Sequence, residues 1–163
     1  SFPTRRSSDL RKIGVISGDQ SSSASNERLK AYKDILLENN IEINNEILLH
    51  SSATFEDGFK LAEILIKRKV DSIFNINDTV AMGAMKYCHM NNIQVPKDIG
   101  IAGYDDIEQA AMLPVPLTTI HQRKFELGRT VAKILIDEIN NYQSPKQKVI
   151  LQPQLIIRKS CNE

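Results

Sequence analysis

The sequence predicts an α/β protein with a mostly parallel sheet and helices on both faces. Short apolar runs, rich in β-branched residues, fall at 13–18, 46–50, 73–76 and 99–102. Between them, apolar residues recur at helical spacing, so strand and helix alternate along the chain. Runs of this kind suit strands buried on both faces of a parallel sheet. Two of them end in acidic or amide residues, Asn77-Asp78 after one and Asp105-Asp106 after the other. In open parallel sheets ligands bind beyond the carboxyl ends of the strands. Asn77, Asp78 and Asp105 therefore stand where a small polar molecule would be held.

The first strand, 13–18, ends at a glycine and leads into a polar, turn-prone loop, 19–26, with several possible helix caps. The next helix carries Leu29, Tyr32, Ile35 and Leu36 on one face and ends near Asn39-Asn40. Arg28 sits in its first turn, where a cation opposes the helix dipole. It is either a solvated arginine or a group reaching over the strand ends to a ligand. After the 46–50 strand, Thr54 and Asp57 have the spacing of a capping box. Phe55, Phe59, Ala62, Leu65 and Ile66 then form a buried stripe. Lys67-Arg68-Lys69 suits the carboxyl end of that helix better than a nucleic-acid patch.

The central unit follows: strand 73–76, a helix marked by Ala81, Met85 and Cys88, a stop at Pro96, and strand 99–102. Asp106 is placed to cap a short helix over 107–112. Pro114 and Pro116 force an extended crossing, and 117–121 reads as strand. Leu127, Val131, Ile134, Leu135 and Ile139 mark a long amphipathic helix with few later elements to pack against. Ser144-Pro145 turns the chain, and 149–151 and 155–157 read as strand interrupted by Pro153.

An apolar share of 41% and a charged share of 25% describe one ordinary globular domain. No apolar run approaches a membrane span, and no signal-peptide layout is visible. Cys88 and Cys161 lie far apart and read as free thiols of a reducing, cytoplasmic compartment. His50, His89 and His121 lack ligand spacing, so neither a metal nor another cofactor is expected. The opening ten residues, SFPTRRSSDL, carry no periodic pattern. They resemble a translated reading frame of a sequencing-library adapter and are set aside as non-native. Losing Arg5, Arg6 and Asp9 takes the formal charge from +1 to zero. That balance argues against this segment itself gripping a phosphate backbone.

Catalysis finds little support. Asp105 and Asp106 are adjacent and should point apart, away from any shared substrate atom. No nucleophile elbow, phosphate-cradling glycine loop or H-E-x-x-H occurs. No catalytic residue is assigned and the chain is read as a non-enzyme.

Across NDTVAMGAM, VPKDIGIAGYDDIE and PLTTIHQ, several independent motifs occur in order. Here the sequence closely resembles the effector-binding core of the lactose/galactose repressor family of bacterial transcription regulators. The resemblance implies the carboxyl-terminal lobe of a type I periplasmic-binding-protein-like fold plus the segments that cross to its other lobe. Residues 11–159 would be an effector-binding fragment, with 122–141 returning to an amino-terminal lobe and 160–163 a tail. By position, the resemblance assigns Arg28, Asn77, Asp105 and Gln122 to the effector. A guanidinium facing a carboxylate suits a polyol's donors and acceptors. Where many members carry a stacking aromatic, this chain has Ala53, with Phe55 two residues on. Met82, Lys86, Ala110, Met112 and Leu113 match the family's dimer face. The implied partners are a sugar, sugar phosphate or nucleobase-like effector, operator DNA through an amino-terminal head, and a second copy of the chain, with no membrane. A transport or chemoreceptor sugar-binding protein of the same fold is the alternative.

Overall fold

The computed structural model describes residues 12–140 and 148–161; the opening ten residues, the Ser144-Pro145 turn and the last two residues lie outside them. The elements run β1 (Ile13–Ser17), α1 (Ser23–Glu38), β2 (Leu48–His50), α2 (Phe55–Lys67), β3 (Ser72–Asn75) and α3 (Asp78–Met90). They continue as β4 (Gly100–Ala102), α4 (Glu108–Met112), β5 (Thr119–His121), α5 (Lys124–Asn140) and β6 (Gln154–Ile156). Four strands form a parallel sheet in the order β2-β1-β3-β4, and β5 pairs antiparallel with β6 in a second, two-stranded ribbon. This is the predicted α/β architecture.

The chain steps one way from β1 to β2, then crosses back to β3 and β4. Right-handed crossovers therefore put α1 on one face and both α2 and α3 on the other. The reversal lies between β1 and β3, and it is there that an open sheet parts its loops for a ligand. Ile16, Ile73 and Ile101 fill the sheet's interior, with Leu65, Val80 and Ala84 packed over them, and Val15 is buried outside that cluster. Helices α2 and α3 touch backbone to backbone. A Cβ on Gly58 would collide with the Val80 carbonyl, and one on Gly83 with the Phe55 carbonyl.

Local signals mostly act as read, with physical exceptions. Ser22, Thr54 and Asn77 cap α1, α2 and α3 with their side chains. Asp57, however, accepts from the Ser52 N–H rather than returning to Thr54, so the capping box is only half made. Residues 45–47 form a 3-10 turn, which shortens the second strand to its last three residues. Ile35, expected on the buried face of α1, is 55% exposed, because that helix buries only Ser25 and Leu36. Residues 149–151 are not strand; only β6 forms, after Pro153.

The largest departure concerns the end of the chain. Ser160, read from sequence as tail, is fully buried. Its N–H donates to the Pro116 carbonyl, its carbonyl accepts from Ile101 N–H, and its hydroxyl accepts from Thr118 N–H. The 116–118 crossing and Ser160 thus close the β4 edge together. Helix α5 behaves as expected of a stripe without a partner: none of its residues is buried.

Candidate functional site

At the β1/β3 reversal, Arg28 rises from the second turn of α1, which begins at Ser23 and not after residue 26 as expected, and crosses the strand ends. Its Nη1 donates to the Ile76 carbonyl at 2.8 Å, and its guanidinium carbon lies 3.6 Å from the centre of the Tyr104 ring. The open alternatives for Arg28 are thereby decided as to place: it is not simply solvated. Opposite it, Asp105 Oδ1 accepts a 2.6 Å hydrogen bond from Gln122 Nε2. Gln122, with Tyr104, also borders a small cleft of about 150 Å³ shared with Leu127 of α5 and Pro153. Arg28, Asp105 and Gln122, far apart in sequence, are therefore gathered around Tyr104.

Asn77 and Ala53 meet at one edge of this area. Asn77 Oδ1 accepts from Val80 N–H as the α3 cap, and its Nδ2 donates to the Ala53 carbonyl at 3.4 Å. Asn77 therefore has a structural role whatever else it touches. Ala53 has φ 62°, Asp105 φ 113° and Asp106 φ 50°. Left-handed non-glycine residues cost of order 1–3 kcal/mol each and gather where a loop is held for function. Beside them, Asp19, Gln20, His50, Ser51, Ser52 and Asp57 line a polar hollow of about 430 Å³ beyond β1 and β2.

Phe55 is not brought to this cluster. It lines a different surface groove, of about 760 Å³, with Met82, Met85, Lys86 and the 113–115 crossing. A stacking role at Arg28 and Asp105 is thus unsupported, and Phe55 joins the residues read as the dimer face. Of the others read as that face, Met112 is exposed but does not line the groove, whereas Ala110 is fully buried. Ala110 packs into the core beneath that face and cannot itself touch a second chain.

The two aspartates point apart as expected, but Asp106 is not a helix cap. Ile107 occupies the cap position of α4 with no side-chain bond, and its N–H donates instead to Asp78 Oδ2 at 2.9 Å. Asp106 binds Arg158 Nη2 at 2.6 Å and His121 Nδ1 at 2.8 Å. Burial would push the Asp106 carboxyl up, yet the bonds and charge of Arg158 and His121 hold it below the usual carboxylate range. Buried Asp78 goes the other way. Burial raises it against hydrogen bonds from Thr119 and Ile107, and the charges of Asp105 and Asp106 add to the rise. Sequence reading missed Tyr104, His121 and Arg158. Tyr104 lay inside a quoted motif; Arg158 had no local signal. Among the described residues, no group of three His, Cys, Asp or Glu side chains could hold a metal.

Parallel α/β lobe, reversal point and extended crossings together decide the comparison with known proteins. The family of periplasmic binding protein-like domains matches residues 6–161. The chain belongs to that family. Relatives of this periplasmic binding protein-like domain include the ribose operon repressor of Haemophilus influenzae, 35% identical over 152 residues. That match covers 92% of this chain and 46% of the relative. The HTH-type transcriptional repressor PurR of Photobacterium profundum is 34% identical, covering 93% of this chain and 46% of that protein. Among solved structures, the transcriptional regulator CelR–cellobiose complex superposes with a TM-score of 0.87 at 28% identity, over 94% of this chain and 47% of that one. The chain thus spans about half the length of the curated relatives it matches. No helix among the described residues is long and apolar enough to cross a membrane.

Proposed function

We propose that this domain is the effector-sensing and dimerising part of a DNA-binding transcriptional repressor that works in the cytoplasm. The observation that carries the reading is the gathering of Arg28, Asp105 and Gln122 around Tyr104 at the β1/β3 reversal. The effector sits between this lobe and a second lobe organised on α5, whose apolar stripe has no cover here. It favours the closed arrangement and so changes operator affinity through a DNA-binding head, a population shift with reciprocal coupling. The protein carries out no chemistry on its ligand.

The effector is a sugar or sugar-like molecule rather than a planar base. One face of the Tyr104 ring is taken by Arg28, and Ala53 has no ring to stack. The polar hollow bounded by Asp19, His50, Ser51 and Asp57 suits hydroxyl groups. A ribose repressor relative and a cellobiose-bound neighbour support this class, while the purine repressor relative keeps sugar phosphates and nucleobases in the test panel. Two copies join through the groove beside α3, using Met82, Lys86, Met112 and Leu113.

The experiment is calorimetric titration of the full-length protein with ribose, cellobiose, sugar phosphates and purines, alongside an operator-binding assay. Saturable binding of a sugar that changes operator affinity supports the reading. Binding of sugars without any DNA-binding activity in the full-length protein moves the assignment to the transport-receptor alternative.

A further inference from the structure

Among the described residues, Asp105 and Asp106 are the one consecutive pair with positive φ. Their backbone is fastened to the outgoing crossing: Asp105 N–H donates to Ile120 O at 3.0 Å and Asp106 N–H to Thr119 Oγ1 at 3.3 Å. Their side chains then form two rungs with two consecutive residues of that crossing. Asp105 meets Gln122, and Asp106 meets His121. Only the second rung has a third member. Arg158, on the returning segment, reaches Asp106 with Nη2 and the Leu117 carbonyl with Nη1. The Asp106 and Arg158 side chains are just 16% and 18% exposed, so their pair is shielded from the screening that weakens surface ion pairs.

We propose that Asp106 is a positioning residue: clamped between His121 and Arg158, it aims the Asp105 carboxylate and holds Gln122 against it. The effector role of Asp105 rests on the function proposed above; the clamp does not. Both aspartates share one left-handed turn fastened through its N–H groups to Ile120 and Thr119, so holding the Asp106 side chain steadies the backbone from which Asp105 leaves the chain. On the other side, His121 ends β5 and Gln122 follows it directly. Because His121 lies on the outgoing crossing and Arg158 on the returning one, the clamp also ties the effector-facing loop to both connections toward α5. The charged groups around the clamp are Arg158 on the returning segment, Asp105 beside it and Asp78 from α3. With the Asp106 carboxylate as acceptor, His121 Nδ1 donates the hydrogen bond of that rung.

The test uses the full-length protein labelled with nitrogen-15 in its glutamine side chains. In the wild type, the Gln122 Nε2 amide signal should lie apart from those of solvated glutamines. Asp106→Asn keeps a residue that tolerates left-handed φ but removes the charge. It should send the Gln122 signal to the solvated position although Asp105 and Gln122 are unchanged. Should that variant fail to fold, His121→Gln, altering a half-exposed side chain, should move the same signal part of the way. In a parallel titration with ribose as probe, Asp106→Asn should weaken binding about tenfold. Absence of any ribose binding in the wild type counts against the proposed effector class, and the amide signal still decides the clamp. A Gln122 signal that ignores both substitutions overturns the proposal, even if the variants melt at lower temperature.

Discussion

Asp78 Oδ1 accepts a 2.6 Å hydrogen bond from the Thr119 hydroxyl, with both residues essentially excluded from water. One is the first residue of α3 and the other the first of β5, so a buried carboxylate joins the sheet's central helix to the strand that leaves the lobe. Its second oxygen satisfies Ile107 N–H. Asp78→Ala leaves both donors without a partner and should cost about 1–3 kcal/mol. Asp78→Asn should cost less, because its carbonyl can still accept from Ile107 while the threonine hydroxyl turns to accept from the amide. Urea denaturation of the three proteins checks the order.

The two carboxylates should impose opposite pH dependences on stability. Folding raises the Asp78 pKa, so its contribution is present in full below the unfolded value of about 3.9 and declines as pH rises through the folded value. Folding lowers the Asp106 pKa, so its contribution is present above about 3.9 and is lost as pH falls through the folded value. Denaturation curves between pH 2 and 7, a window of about five units that brackets both groups, should show Asp106→Asn losing the acid-side loss. Asp78→Asn should lose the decline on the other side. Identical profiles for the two variants would contradict the assigned directions.

Arg28→Ala and Asp105→Ala should each weaken effector binding by about 1–3 kcal/mol, the cost of leaving a polar partner unpaired. Operator binding by the full-length variants should persist. Tyr104→Leu should act in the same direction but more weakly, by about 0.5–2 kcal/mol, since it removes only the ring that holds the guanidinium. Calorimetric titration with the effector reads all three, and an unchanged isotherm for Arg28→Ala would remove that residue from the site.

How much of this was legible in the sequence follows from where each force acts. The α/β alternation and the strand-end cluster were readable because burial periodicity and caps are local, as Thr54 and Asn77 illustrate. Arg28 looked misplaced by helix electrostatics only because the helix was expected to begin after residue 26; α1 begins at Ser23, and what sets Arg28 apart is its bond to the Ile76 carbonyl across the sheet. The misses are long-range. Asp106 had a sufficient local reason to be a cap, but Arg158, 52 residues away, offers an ionic partner that a cap position does not. Ser160 looked like tail because a lone serine after Arg-Lys has no apolar pattern, yet hydrogen bonds at the sheet edge bury it. Phe55 and Ala110 were assigned by resemblance alone, and side-chain direction, which a resemblance does not carry, separated them from their expected neighbours.

Gly83→Ala tests the backbone contact between α2 and α3. The added methyl meets the Phe55 carbonyl, part of a packed helix that cannot yield as a flexible side chain would. Destabilisation of about 1–3 kcal/mol is expected, as for other overpacked sites. A Gly128→Ala change in α5, where nothing lies near the added carbon, should instead be neutral or slightly stabilising through helix propensity. Thermal melts of the two variants give the comparison directly.

Introducing glutamate at Met112 or Leu113 should split a dimer built on the groove beside α3 while leaving the far-ultraviolet circular dichroism unchanged. Sedimentation of the full-length variants measures the shift. A dimer that survives both changes would place the contact elsewhere.

The seating of Ser160 against Ile101, 59 residues earlier, also sets an order for folding. The covering of the sheet's last edge, begun by Thr118, can be completed only after the whole of α5 and the return through β6 have been laid down. That raises the contact order of the lobe and makes its final closure slow relative to formation of its helices. Until then β4 presents unpaired backbone groups, the kind of open strand edge on which chains stick to one another. A gene product cut within α5 would keep the Ile101 end of that edge bare permanently. Aggregation during synthesis, rather than a missing ligand contact, is then the first defect such a truncation should show.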